Sequence, residues 1–177
     1  HDILQSETEI GKSKLATYMM HRKTVLKVLD KFIRVQKDGT FMLESDIHDI
    51  IFSRNKTSNQ LSFNEHNLWI LDERIAYYQY LASEKEFKTV EIIDSDSSKA
   101  ADLLIYDNKF VYGEPKDFII LFEFKRPMRK NYTKEEKNLG NQLLEYAKEL
   151  INKNATDYTG RSNKITRETP KLGYIIC

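Results

Sequence analysis

The sequence is short of the residues that cross-link a chain or break its regular structure. It holds one cysteine, three prolines, six glycines and one tryptophan in 177 residues. A single cysteine cannot form an internal disulfide, so stability must come from a hydrophobic core, and a reducing cytoplasm is the expected location. No stretch approaches 18 consecutive apolar residues, so we expect no transmembrane helix. The first residues also lack the apolar region of a signal peptide.

An excess of either charge is lacking as well. The 28 Lys and Arg residues balance 27 Asp and Glu residues, for a net charge of +1, whereas nucleic-acid-binding domains often carry a basic excess. Hydrophobic residues make up 40% and charged residues 31%, which predicts a globular chain. Because the chain starts without Met and stops directly after an apolar run, we expect it to be a fragment of a longer polypeptide.

Apolar residues at helical spacing predict three helices. They cover residues 7–35, residues 42–53 and residues 138–153. The first of them is expected to form an N-terminal helical extension over residues 1–40. The remaining residues, 41–177, are then the main domain, a length that suits one fold with its own core.

Four strands are predicted in the main domain. Aromatic and β-branched content favours a strand at Leu68–Leu71, with a helix at Asp72–Leu81 left open. Asp102–Tyr106 reads as a short strand, Phe118–Lys125 as a central strand covered on both faces, and Leu172–Ile176 as the last strand. The helix between the last two strands implies that they pair in parallel in an α/β sheet. Polar connections or turns are predicted at residues 54–62, 91–100 and 107–109.

Two carboxylates and a lysine fall where these strands would bring them together. Asp102 opens one predicted strand, and Glu123 and Lys125 end the next on a single face, because side chains alternate along a strand. Hard oxygen ligands suit Mg²⁺ or Mn²⁺, and such an ion polarises a phosphodiester and activates a bound water. A cross-strand salt bridge would explain the same residues. Their place at the end of a buried apolar strand favours a function, because charges there are costly unless paired or functional.

A basic cluster follows Glu123 directly. It spans residues 125–130 and includes Arg126, Arg129 and Lys130. Bases beside a metal-binding acid attract the phosphates of a nucleic acid, so we predict that these three residues contact the nucleic-acid backbone. An ordinary solvated turn explains the cluster equally well.

The flanking helices each present a pair of polar residues one turn apart. Glu44 and His48 share a face of the helix before the strands, and either could complete the coordination of a cation, although solvent exposure is the simpler interpretation. Gln142 and Tyr146 lie on the helix after the Lys125 strand and could hydrogen-bond a phosphate or steady the site. Core packing is the alternative for Tyr146.

The order of these elements resembles the PD-(D/E)xK nuclease superfamily over residues 42–177. That resemblance implies a restriction-endonuclease-like αβββαβ core with a mixed central sheet flanked by helices. It also implies that Asp102, Glu123 and the Phe124 carbonyl bind the metal and that Lys125 handles the attacking water. Gln142 and Tyr146 match the QxxxY signature of RecB-like nucleases, where a helix His such as His48 joins the metal, whereas Glu44 matches the helix acid of Mrr-like branches. Ala101 departs from the pattern, which has Pro before the Asp.

A second resemblance concerns the run EHNLWILDERIAYYQYLASEK, with FEFKRPMR and Tyr132 downstream. It is similar to the nuclease-like C-terminal region of large prokaryotic proteins that begin with a GHKL-type ATPase domain and are suspected of antiviral defence. The resemblance implies an ATPase in the rest of the polypeptide as a partner.

Together these observations predict a Mg²⁺- or Mn²⁺-dependent nuclease domain that acts on DNA rather than RNA. The alternatives are a catalytically silent nuclease fold that binds nucleic acid, and an oligomerisation or regulatory module that forms a homodimer through its N-terminal helix.

Overall fold

The computed structural model describes residues 2–93, 95–111, 114–126, 139–150, 155–156, 162–163 and 169–176. It divides into two units, one ending at Met42 and one beginning at Leu43. The first unit is built on helix α1, Asp2–Phe32, where residues 7–35 were predicted to be helical. Within the described ranges, no helix combines the length and apolar character needed to cross a bilayer.

The second unit is an α/β fold with a four-stranded mixed sheet. The strands lie in the order β1-β2-β3-β6. Strand β2 pairs antiparallel with both β1 and β3, and β3 pairs in parallel with β6. The predicted parallel pair is therefore confirmed. A separate two-stranded ladder joins β4 to β5. The bounds are α2 Glu44–Ile51, β1 Tyr80–Ser83, β2 Leu103–Val111, β3 Glu114–Phe124, α3 Leu139–Glu149, β4 Ala155–Thr156, β5 Ser162–Asn163 and β6 Lys171–Ile176.

The strand predicted at Leu68–Leu71 is wrong. Leu68–Ile70 is a short 3-10 helix, and the first strand of the sheet lies further along the chain, at Tyr80–Ser83. The helical alternative is also only partly right, since Glu73–Ala76 is a single 3-10 turn. Leu68 is fully buried, but burial of an apolar side chain does not dictate an extended backbone.

The turn predicted at residues 107–109 is wrong as well. Strand β2 continues through these residues, where Asp107 pairs with Phe118 and Asn108 with Asp117. Ladder hydrogen bonds with β3 satisfy the backbone there, so pairing overrides the local turn preference of Asp and Asn. The antiparallel pair of β2 and β3 is consequently longer than the apolar runs in the sequence indicate, and extends to the Val111–Glu114 pair.

One face of the sheet packs against α3. The buried cluster on this face joins residues from β1, β2 and β3 to Tyr146 and Leu150 of α3. Gly173 of β6 lets the helix approach closely, because a Cβ there would lie 2.9 Å from Leu143 Cδ1. Ile92 and Ile93, predicted to lie in a polar connection, are buried in the same cluster.

The opposite face of the sheet packs against α2. Ile47 and Ile51 of α2 are buried, and the His48 ring stacks on Phe124 of β3, with ring centroids 4.7 Å apart. Strand β3 is thus covered on both faces, as its apolar run predicts. The last residues of β3 are held between two helices that each carry polar side chains.

Candidate metal centre

The start of β2 and the end of β3 lie side by side and position two acids. Asp102 immediately precedes β2, one residue beyond the Leu103–Phe122 pair, so it stands opposite Glu123. The Asp102 carboxylate accepts a hydrogen bond of 2.6 Å from the Phe124 amide. This hydrogen bond holds the Asp102 side chain against the end of β3, where the sequence predicts the first acid of the site.

The carboxylate of Glu123 accepts two hydrogen bonds in a largely buried network. Its Oε1 atom accepts hydrogen bonds from Lys125 Nζ at 2.6 Å and from Gln142 Nε2 at 2.7 Å. The Gln142 amide also donates to the Tyr146 hydroxyl at 2.7 Å. Glu123 is 4% exposed and Lys125 is 8% exposed. The four predicted residues therefore meet in the structure, and Gln142 and Tyr146 brace the carboxylate of Glu123.

The second oxygen of Glu123 has no hydrogen-bond partner in the described part of the chain. Oε2 is buried, and no described donor reaches it. A buried carboxylate oxygen without a donor costs of the order of 1–3 kcal/mol or more. A cation near Oε2 would remove this cost.

Glu84, which sequence reasoning missed, joins the site. It follows β1 directly, its backbone lies in the left-handed region at φ 48°, and its amide donates to the Asp102 carbonyl at 3.1 Å. One ligand atom from each of His48, Glu84 and Asp102 lies within 4.8 Å of the other two. Glu84 could have been predicted in the same way as Glu123, as an acid at the end of a short apolar strand. That prediction would have required the correct position of β1, Tyr80–Ser83.

Two residues of a neighbouring loop hold the Glu84 side chain. Asn55 Nδ2 donates to Glu84 Oε2 at 3.1 Å, and an Arg54 guanidinium nitrogen lies 3.8 Å from Oε1. Asn55 is itself in the left-handed region at φ 58°, a conformation in which Asn is enriched and bulkier residues are rare. Arg54 also pairs with Asp49 at 3.2 Å. Asn55 and Arg54, which do not belong to the group of His48, Glu84 and Asp102, thus orient the carboxylate of Glu84.

His48 is buried in its neutral form. Its Nε2 atom is hydrogen-bonded to Ser83 Oγ at 3.0 Å, and Nδ1 lies 3.6 Å from Glu84 Oε1. Burial lowers the pKa of His48 to about 4, although the charge of Asp49 opposes this shift. A neutral imidazole is the form that binds metal ions.

Glu44 lies beside the Glu123–Lys125 pair and caps the chain after β3. Its Oε1 atom accepts a hydrogen bond of 2.7 Å from the Arg126 amide, and its negative charge helps to raise the pKa values of Glu123 and Lys125. Glu44 and His48 therefore both face the site, but only His48 belongs to the trio His48, Glu84 and Asp102 that could hold a metal ion. Arg129 and Lys130 lie outside the described residues.

The carboxylates of the site crowd one another. Burial, reinforced by the charge of Glu123, raises the pKa of Asp102 to about 7, and burial also raises the pKa of Glu123. For Lys125, burial alone would lower the pKa, but the hydrogen bond and the charge of Glu123 outweigh it, so the pKa is raised. Lys125 is thus a charged ammonium, and its charge does not return the pKa values of Asp102 and Glu123 to their ordinary range.

No protein-family model, curated protein or solved structure matches this chain. The chemistry of the centre therefore rests on its geometry. Three carboxylates and a neutral imidazole suit a divalent cation that accepts oxygen and nitrogen ligands.

Proposed function

We propose that this chain is a Mg²⁺- or Mn²⁺-dependent nuclease domain that hydrolyses phosphodiester bonds, of DNA rather than RNA. One observation carries the proposal. The ends of β1 and β2 bring Glu84 and Asp102 together with His48, and Glu123, which stands opposite Asp102 in the β2–β3 register, pairs with the buried ammonium of Lys125. An ion pair between Glu123 and Lys125 accounts for neither of the partly buried carboxylates of Glu84 and Asp102, although burying each charge is costly.

The element order supports the proposal. In the second unit, helix α2 precedes strands β1, β2 and β3, and helix α3 then leads to β6. Apart from the short β4–β5 ladder between α3 and β6, this order agrees with the αβββαβ order expected of a restriction-endonuclease-like core. Asp102 immediately precedes the second strand, Glu123 is the penultimate residue of the third, and Lys125 directly follows it. These places correspond to those that the PD-(D/E)xK pattern assigns to its acids and lysine.

The side chains present fit a divalent cation. His48, Glu84 and Asp102 would bind it, and the unpartnered Glu123 Oε2 offers a further oxygen. In this proposal the Phe124 carbonyl and Glu44 remain candidate additional ligands. When bound, the cation polarises the phosphodiester and makes a coordinated water more acidic.

The chain's own residues then have separate tasks. The Lys125 ammonium stabilises negative charge that develops on the phosphate and orients the attacking water. Gln142 holds the Glu123 carboxylate in place, and Tyr146 holds Gln142. Arg126, followed in the sequence by Arg129 and Lys130, attracts the nucleic-acid backbone. A cytoplasmic role in antiviral defence, with an attached ATPase as partner, is proposed from the resemblance alone.

Cleavage of plasmid DNA and of labelled oligonucleotides, with Mg²⁺, Mn²⁺ or a chelator, tests the proposal. Lys125→Ala is compared with Lys148→Ala. Both lysines pair with a glutamate at 2.6 Å, but Lys148 is exposed on α3. We expect metal-dependent cleavage that falls by at least about 100-fold in Lys125→Ala and is unchanged in Lys148→Ala.

Equal cleavage by both variants would show that another site or a contaminant cuts the DNA. Metal binding without any cleavage would favour the catalytically silent nuclease fold. An RNA substrate tested in parallel decides the choice of nucleic acid.

A further inference from the structure

The two ring nitrogens of His48 make different contacts. Nε2 lies 3.0 Å from Ser83 Oγ, which is hydrogen-bond distance. Nδ1 lies 3.6 Å from Glu84 Oε1. That separation is longer than the range of about 2.7–3.2 Å for a hydrogen bond between nitrogen and oxygen. The ring is therefore hydrogen-bonded to Ser83 through Nε2, whereas Nδ1 faces a carboxylate of the candidate metal centre without bonding to it.

This difference decides which nitrogen carries the hydrogen. A neutral imidazole has a single N–H, on one nitrogen or the other. If the hydrogen is on Nε2, the N–H donates to Ser83 Oγ. If it is on Nδ1, the N–H points towards a carboxylate that is too distant to accept it, and a buried N–H without an acceptor costs free energy. His48 is 2% exposed, so the geometry favours the tautomer with its hydrogen on Nε2.

The surroundings hold both the ring and the hydroxyl in place. The His48 ring stacks on Phe124 with an interplanar angle of 22°. Ser83 is fully buried at the end of β1. Its amide donates to the Lys56 carbonyl at 2.9 Å, and its backbone pairs with Leu103 of β2. Groups that packing and strand pairing already hold lose little conformational freedom when a ligand binds.

We propose that Ser83 is a positioning residue of the candidate metal centre, whose hydroxyl keeps the hydrogen of His48 on Nε2 and leaves Nδ1 free to bind the cation. The inference rests on the proposed function, since it concerns the same cation. Divalent cations lie about 2.0–2.2 Å from imidazole nitrogen and carboxylate oxygen atoms. The 3.6 Å between Nδ1 and Glu84 Oε1 therefore lets one ion contact both atoms. Because Glu84 follows Ser83 directly, the end of β1 supplies one ligand and orients another.

Nitrogen NMR of the ¹⁵N-labelled chain in a chelator reads the tautomer without any metal. Long-range correlations between ring protons and ring nitrogens distinguish a nitrogen that carries hydrogen from one that does not. Signals that disappear in His48→Gln identify His48. We expect hydrogen on Nε2 and none on Nδ1 at pH 8. Hydrogen on Nδ1 in the unaltered chain would overturn the inference.

Ser83→Ala removes the acceptor of the Nε2 hydrogen bond. We expect about 10- to 100-fold weaker Mn²⁺ binding by isothermal titration, and a mixture of the two His48 tautomers in the metal-free variant. Ser58→Ala is the matched control, because the Ser58 hydroxyl also accepts a hydrogen bond beside β1, but from the Leu81 amide, at 3.1 Å. This control should keep the tautomer and the Mn²⁺ affinity of the unaltered chain. Circular dichroism checks that both variants are folded.

The two measurements separate a failure of the inference from a failure of the proposed function. Mn²⁺ binding by a chain with hydrogen on Nδ1, or an unchanged Mn²⁺ affinity or tautomer in Ser83→Ala, would overturn the role of Ser83 and leave the metal centre standing. Absence of Mn²⁺ binding to an unaltered chain with hydrogen on Nε2 would overturn the metal centre itself, and with it the role of Nδ1 as a ligand.

Discussion

Asp102 is a residue of the candidate site whose ionisation state changes near neutral pH. Burial and the charge of Glu123 raise its pKa to about 7, so at neutral pH the folded chain without metal already resists ionising it. The pKa of His48, lowered to about 4 by burial, has the opposite consequence. His48 is neutral throughout the range in which Asp102 ionises, so both side chains become available to a metal as the pH rises through 7.

The first prediction concerns Asp102→Asn in the presence of a chelator. A raised carboxyl pKa stabilises the fold at pH values below the unfolded value near 3.8, and this stability is lost as the pH rises through about 7. The Asn side chain removes the penalty and can still accept the Phe124 hydrogen bond. We therefore expect a higher free energy of unfolding at pH 8, by about 1–3 kcal/mol, and a smaller gain at pH 5. Urea unfolding at both pH values measures it.

Glu145→Gln is the control, because Glu145 is exposed on α3 and its ion-pair partners in the described part of the chain are the surface lysines Lys148 and Lys99. It should change stability by less than about 0.5 kcal/mol at either pH. A destabilised Asp102→Asn at pH 8 would mean that the Asp102 charge is already compensated without a metal.

Most residues of the site were accessible from the sequence, and one was not. Glu123 and Lys125 follow from the alternation of side chains at the end of an apolar strand, and Gln142 from helical spacing on α3. Glu84 could not be found, because the strand before it was placed at Leu68–Leu71. Its left-handed backbone, which turns the chain back towards Asp102, has no signal in a non-glycine residue.

At the scale of elements, helices α2 and α3 were predicted from the helical spacing of their apolar residues, and β3 from a continuous apolar run that is buried on both faces. Strand β6 was also predicted from an apolar run, although most of its residues are exposed. The prediction failed where tertiary contacts decide the backbone. Leu68 is buried in a 3-10 turn, and Asp107 extends a strand by pairing with Phe118. Neither outcome follows from local residue preference.

The second prediction concerns the contact between α3 and β6. Gly173→Val should lower the free energy of unfolding by about 1–3 kcal/mol, because even a Cβ would lie 2.9 Å from Leu143 Cδ1. Leu143→Ala combined with Gly173→Val should recover part of this loss, since the smaller helix residue makes room. Unfolding of the two single variants and the double variant measures the coupling. Additive losses would show that α3 does not pack on Gly173 in this way.

At the scale of the whole molecule, the candidate metal centre belongs to the unit that begins at Leu43. The net charge of +1 gives the chain little long-range attraction for DNA. In the proposed function, attraction of a phosphate backbone would therefore come from local charges, namely a bound cation and bases such as Arg126. Binding of a divalent cation is accordingly the property on which the proposed function depends.

Isothermal titration of the chain with Mn²⁺ at pH 8 tests the metal centre most directly. Glu84→Gln is compared with Glu86→Gln, because Glu86 is two residues away and, among the described residues, forms an ion pair with the exposed Lys88 alone, at 2.7 Å. We predict saturable Mn²⁺ binding that is unchanged in Glu86→Gln and at least about 10-fold weaker in Glu84→Gln. Absence of Mn²⁺ binding to the unaltered chain, or equal affinity in all three proteins, would contradict the account.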